Sequence, residues 1–398
     1  MSLRATYGRI LGNLTNYKDF AAFLTQTQTY YPFPFRPKQI EFFADTKNIQ
    51  RRIRQFHLRK KHGGFRDIVA PHSSLEYILK QLNIIFQVYY EPKSFVCGFV
   101  RGKSLVDNAR PHVGHRFILS MDLKNFFPSI SRERIREMFR LKPFEFSAFA
   151  AEVISGLCTA HTVPGEQDTL PQGFPTSPIL ANMICAEMDE ELALLARMHN
   201  VTFTRYADDL TFSCNEDILR PTGEFANEVR AIIEKHHFVL NDKKTHLQRN
   251  GKRKEVTGII VDKKVNLSRQ FIREIRSILY IWKRYGYKEA CKAVYPHYRK
   301  QHGTTKGQHH YVNLNCVMRG KLNYLKMVRG EEDAIYQKFQ STFSELAKRD
   351  YEKVFYDTPT YLNYKETDND FMNSCSGRIL YIIIVVILSF AFAILCNS

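Results

Sequence analysis

The sequence predicts an α+β fold. Two observations carry that expectation. Short apolar runs of strand type, at 117–123, 201–204 and 210–213, alternate with longer helical patterns at 76–95, 178–198 and 222–237. Beyond them, residues 269–348 are helical and basic with no strand signal. A chain of 398 residues is too long for one small core and suits two or three subdomains.

The elements follow in order. Residues 1–50 mix aromatic and polar residues and read as helical, then extended around Tyr30-Tyr31-Pro32-Phe33-Pro34. A strongly basic segment with a Gly63-Gly64 turn occupies 51–75. Leu75, Ile78, Leu79, Leu82, Ile85 and Phe86 recur at helical spacing, so 76–95 is expected to be an amphipathic helix. Phe117–Leu123 reads as a buried strand running into Phe126-Phe127-Pro128. Pro178 starts a helix over 178–198 that is apolar on most faces. A hairpin at 201–213, a helix at 222–237 and a strand pair at 255–267 complete the body. The expected boundaries are 1–50, 51–268, 269–348, a polar linker at 349–378 and an apolar terminus at 379–396.

Charge is unevenly spread. The net formal charge is +18, yet residues 331–370 hold five Lys/Arg against ten Asp/Glu. Arg378 is the one charge beyond that stretch, so residues 1–330 carry +22. A basic body of that size favours a polyanion such as RNA or DNA. The eight cysteines form no C-x-x-C pair and read as reduced, mostly buried residues of a cytosolic chain. Ile379–Cys396 is an uncharged run of 18 residues that as a helix would be about 27 Å long. It is expected to be a single transmembrane helix holding a cytoplasmic catalytic body at the bacterial inner membrane; a buried or oligomerising helix is the alternative.

Chemistry enters at Tyr206-Ala207-Asp208-Asp209, between two strand-like runs. Adjacent carboxylates at a hairpin tip repel each other unless a cation sits between them. The bland alternative is a solvated Asp-Asp turn. Asp122, at the end of an apolar strand, supplies a third carboxylate if the two strands are neighbours. All-oxygen sites suit Mg²⁺, and a pair of Mg²⁺ ions suits in-line nucleotidyl transfer. Asp122, Asp208 and Asp209 are therefore the candidate catalytic and metal-binding residues. Pro171-Gln172-Gly173 precedes a helix N-terminus, a fit surface for a nucleotide or template base.

In order along the chain stand Gly63-Gly64-Phe65-Arg66, Asp122-x-x-x-Phe126-Phe127, Gln172-Gly173-x-Pro175-x-Ser177-Pro178, Tyr206-Ala207-Asp208-Asp209 and Leu240-Asn241-x-Lys243-Lys244-Thr245. Over residues 50–345 this resembles a reverse transcriptase. Asn108-Ala109-Arg110-Pro111-His112 and Val256-Thr257-Gly258 resemble signatures of the retron type.

The resemblance implies a right-hand polymerase fold of fingers, palm and helical thumb. It implies that Phe127 is an aromatic gate against the ribose 2′-hydroxyl, with a palm core aromatic as the alternative, and that Arg66, with Lys61 or Lys60, meets the triphosphate. Gln172 would contact nucleotide or template, and Lys244 or Lys243 would serve the pyrophosphate unless the two form a solvated lysine pair. Arg276, Lys283 and Arg284 are candidate RNA contacts, and Asn108 and His112 are either RNA contacts or structural hydrogen-bonding residues. The implied partners are dNTPs and a cognate structured noncoding RNA that acts as template and primer, giving branched RNA-linked DNA. An effector protein or a second copy of the chain is a further candidate partner, in anti-phage defence. The alternatives are a reverse transcriptase of another class without a branched product, and an RNA-binding membrane scaffold with an inactive polymerase fold.

Overall fold

The computed structural model describes residues 2–28, 33–59, 64–161, 165–249, 251, 253–302 and 313–350. The chain divides into two units, Met1–Ile272 with Met327–Gly330, and Arg273–Lys326 with Glu331–Ser398.

The first unit is built on a four-stranded antiparallel sheet. Naming strands in chain order, a hairpin of β1 (Ile53–Arg59) and β2 (Phe65–Pro71) stands apart as its own sheet. The main sheet holds β3 (Phe117–Asp122), β4 (Thr202–Tyr206), β5 (Asp209–Cys214) and β6 (His246–Arg249) in the order β4-β5-β3-β6. β7 (Glu255–Val256) and β8 (Ile259–Ile260) form a small third sheet. The central strands β3 and β5 are buried on both faces along most of their length, which explains their near-continuous apolar sequence. Phe203 and Phe212, directly opposite on β4 and β5, stack at 5.0 Å between ring centroids.

Helices cover the sheet. The 73–89 helix buries Leu75, Ile78, Leu79, Leu82, Ile85 and Phe86, the stripe expected from their spacing. It ends at Tyr89 rather than 95 because Pro92 disfavours helical backbone at Glu91. The helix expected over 178–198 is two, Ser177–Ile184 and Ala186–Met198, parted at Cys185, where ψ is −4°. Residues 224–235 form the third expected helix. The pair expected over 255–267 is shorter than its sequence promised, because Thr257 and Gly258 both take positive φ and close a tight turn. The base of the β1–β2 hairpin is fixed by Arg52, whose buried guanidinium donates to Gly156 O at 2.6 Å and Thr159 O at 3.2 Å. These are carbonyls at a helix C-terminus, where a cation is favoured.

The second unit is helical. Its helices include Arg269–Tyr285 (from Arg273 on), Tyr287–His302, Leu314–Arg329 (as far as Lys326) and Ala334–Arg349. They pack around Trp282, which is fully buried and donates Nε1–H to Asp350 at 2.9 Å.

The expected membrane anchoring is corrected. Among the described residues no helix is long and apolar enough to cross a membrane. The 379–396 run on which that expectation rested lies outside the described residues.

Candidate active site

The site forms where β3 ends. The β3–β5 register puts Asp122 directly opposite Asp209, and Asp208 occupies the two-residue loop before β5. Leu123 N–H donates to Asp208 O at 2.9 Å, so backbone ties the loop to the end of β3. Three acidic residues thus lie close along the backbone at the ends of two adjacent strands. Asp122 is buried, and both its oxygens are engaged. Asn241 Nδ2 donates to Oδ1 at 3.0 Å and Lys244 Nζ to Oδ2 at 2.7 Å. The Asn241 backbone N–H also bonds Asp122 O at 2.8 Å.

The electrostatics follow from the crowding. Surrounding protein strips water from the Asp209 carboxyl, and Asp208 and Asp122 add like charge. Together they push its pKa up to about 6, against the opposing pull of Lys244 and His246. Lys244 moves upward from the usual lysine value, chiefly through its hydrogen bond to Asp122. The donor set is hard, all-oxygen and mutually repelling, which fits a divalent cation such as Mg²⁺. Among the described residues, however, no three acidic, His or Cys side chains are already gathered as a ligand group. In this state the Lys244 ammonium is the countercharge to Asp122.

The turn bearing the acids is fastened from beneath. Ala207 sits at φ 58°, a conformation usually left to glycine at the first position of such loops. Arg205 holds it there: Nη1 donates to Ala207 O at 3.0 Å, while Nε and Nη2 each meet the Asp189 carboxylate at 2.6 Å. Burial works against the Arg205 charge, but the paired Asp189 more than offsets it and raises the pKa. From the other side, Cys97 N–H donates to Arg205 O at 2.8 Å and Asn182 Nδ2 to Gly98 O at 3.0 Å. Gly98 is pressed so closely on the turn that a Cβ there would lie 2.3 Å from Ala207 N.

The residues expected to meet a nucleotide lie on neighbouring elements. Gln172 O accepts from Val69 N–H at 2.9 Å, and a Cβ on Gly173 (φ 134°) would lie 2.6 Å from Val69 O. The Gln172-Gly173 loop is therefore docked on β2, the strand that carries Arg66 opposite Leu58. Lys61 lies outside the described residues. Phe127 is half-buried, with its ring 5.3 Å from Phe126 and 6.0 Å from Phe99.

Residues 58–267 match the family described as reverse transcriptase (RNA-dependent DNA polymerase). The chain belongs to that family. Among curated relatives, the retron Mx65 reverse transcriptase of Myxococcus xanthus is 32% identical over 240 residues, 56% of this chain and 55% of that protein. The retron Ec86 reverse transcriptase of Escherichia coli is 32% identical over 196 residues, 49% of this chain and 58% of that protein. This chain thus spans little more than half the length of either relative. Among solved structures, a telomerase from Candida albicans in complex with a telomeric RNA fragment aligns with 80% of this chain and 69% of that chain. Its TM-score of 0.38 and identity of 10% are too low to bear on the argument.

Within this chain the two retron-like signatures meet, since Asn108 Nδ2 contacts Thr257 Oγ1 at 3.4 Å. Of the two roles open to Asn108 and His112, the structural one fits their burial, since neither side chain reaches solvent. His112 bridges strands: Nδ1 to Ser213 Oγ at 2.6 Å on β5, Nε2 to Thr204 Oγ1 at 2.8 Å on β4. Burial, with His115 nearby, lowers its pKa to about 3, so the ring is neutral. Arg276, Lys283 and Arg284 are exposed on the Arg269–Tyr285 helix, with Arg273 and Tyr280 between buried Ile275, Ile278, Leu279 and Trp282. Sequence reading missed Arg205, Asp189, Asn241 and Gly98. The Leu240-Asn241 and Tyr206–Asp209 motifs are the signals that point near Asn241 and Arg205.

Proposed function

We propose that this chain is a retron-type reverse transcriptase that copies a cognate structured RNA into DNA. The observation that carries the reading is the cross-strand placement of Asp122 against Asp209 with Asp208 at the adjoining turn. Asp122, Asp208 and Asp209 would hold two Mg²⁺ ions, which supply activation of the primer hydroxyl and charge stabilisation at the leaving pyrophosphate. The chain's own residues do the rest. Arg66, with Lys61, pairs with the triphosphate; a planar guanidinium suits it. Gln172, held against β2, borders the nucleotide, and Phe127 closes the space a ribose 2′-hydroxyl would need. Lys244, once released from Asp122, donates to the pyrophosphate. The exposed basic row with Arg276, Lys283 and Arg284 grips RNA through its phosphates.

The retron assignment rests on the likeness to the Mx65 and Ec86 enzymes and on the Asn108–His112 and Val256–Gly258 signatures. It carries with it priming from an RNA 2′-hydroxyl, a branched RNA–DNA product and a part in anti-phage defence. The test is to express the full chain with its neighbouring noncoding RNA and sequence the nucleic acid that co-purifies. Branched RNA–DNA of one defined sequence, absent with Asp208→Asn, is the expected result. Unbranched DNA would move the enzyme to another class of reverse transcriptase. No DNA from either protein would remove the catalytic reading.

A further inference from the structure

Phe99 is in an unfavourable position by two measures. Its backbone lies at φ 60°, a region that suits glycine and asparagine and strains other side chains. Its ring is 39% exposed, so core burial does not compensate for that strain. The surroundings enforce the conformation. Cys97 N–H is bonded to Arg205 O, Asn182 to Gly98 O, and the Gly98 backbone is pressed on Ala207. A segment clamped so closely to the acid-bearing turn leaves Phe99 little choice of direction. The ring partner it meets is Phe127, at 6.0 Å between centroids and 44° between planes.

Phe127 needs such a partner. Phe126, behind it, is itself anchored by stacking on Phe238 at 5.8 Å and 29°. The half-buried Phe127 ring thus has two ring neighbours, Phe126 at 5.3 Å and Phe99 at 6.0 Å. A steric gate discriminates only if it does not yield: a ring able to turn aside admits the hydroxyl it should exclude. We propose that Phe99 is a specificity-positioning residue, whose ring holds Phe127 in place against a ribonucleotide 2′-hydroxyl. The proposal rests on the reading of Phe127 as the sugar gate.

The test compares the full chain with Phe99→Gly, Phe99→Tyr and Phe127→Ala on poly(rA)·oligo(dT) with Mg²⁺. It reads kcat/KM for dTTP over that for rUTP. Phe99→Gly relaxes the backbone while removing the ring, so folding is retained, and a melting curve verifies it. Phe127→Ala is expected to lower the ratio. Phe99→Gly is expected to lower it by about three- to tenfold, the range an aromatic pair supplies, with rUTP use changing more than dTTP use. Phe99→Tyr, which keeps the ring, retains the wild-type ratio. A lowered ratio in Phe127→Ala with an unchanged one in Phe99→Gly overturns the role of Phe99. So does an equal loss of dTTP and rUTP use in Phe99→Gly. An unchanged ratio in Phe127→Ala removes the gate itself, and the proposal with it.

Discussion

Arg205 and Asp189 form a bidentate ion pair beneath the catalytic turn, with two 2.6 Å bonds and neither side chain more than 1% exposed. The same guanidinium reaches the Ala207 carbonyl, so one buried charge serves both the core and the hairpin that carries Asp208 and Asp209. Removing one partner strands the other in a dry interior. Asp189→Ala is expected to cost about 3–5 kcal/mol of unfolding free energy by chemical denaturation. The double replacement Asp189→Leu with Arg205→Met is expected to cost less than Asp189→Ala. Additive losses would show that the two side chains do not act as a pair.

The acidic cluster behaves in the opposite way. Asp208→Asn and Asp122→Asn are each expected to reduce DNA synthesis by at least about a hundredfold. In metal-free buffer Asp208→Asn is expected to melt no lower than the parent, because it relieves the repulsion that adds to desolvation in pushing the Asp209 carboxyl up to about 6. A large drop in its melting temperature would mean that the carboxylate has a structural role.

His112 gives the protein a defined acid sensitivity. Its folded pKa of about 3 lies below the ordinary value of 6.5, so the unfolded chain takes up a proton that the folded chain refuses. The stability contributed by the neutral ring is complete above pH 6.5. It declines as pH falls toward 3, by up to about 1.4 kcal/mol per pH unit. Urea denaturation of parent and His112→Asn at pH 7.5, 6 and 5 reads this directly. The difference between the two should narrow as the solution is acidified; a constant difference would contradict the shift.

Two glycines should respond with opposite sign to the same substitution. At Gly98 a methyl group would strike Ala207 N, and Gly98→Ala is expected to destabilise by about 1–3 kcal/mol and to impair synthesis by displacing the turn. Gly320 lies within the Leu314–Arg329 helix with nothing inside 4 Å of its would-be Cβ. Gly320→Ala is expected to stabilise by about 0.5–1 kcal/mol. Thermal melts of the two variants decide the matter.

What the sequence disclosed depended on range. Local patterns survive: the hairpin around Tyr206–Asp209, the apolar strand ending in Asp122 and the stripe from Leu75 to Phe86 all lie where their periodicity puts them. Juxtapositions across the chain were not legible. Nothing local to Asp189 indicates that it will meet Arg205, and a lone Cys-Gly-Phe at 97–99 gives no sign of the turn it presses on. The buried state of Asn108 and His112 was hidden for the same reason, since their partners Thr257, Thr204 and Ser213 are about a hundred residues away or more.

The 2.7 Å bond from Lys244 to Asp122 has a consequence for how the acid cluster is held. With the Lys244 ammonium as its partner, the buried Asp122 already has a countercharge. If Asp122 holds a metal ion as proposed, ion entry would be an exchange, in which the incoming cation would displace one already tethered to the chain.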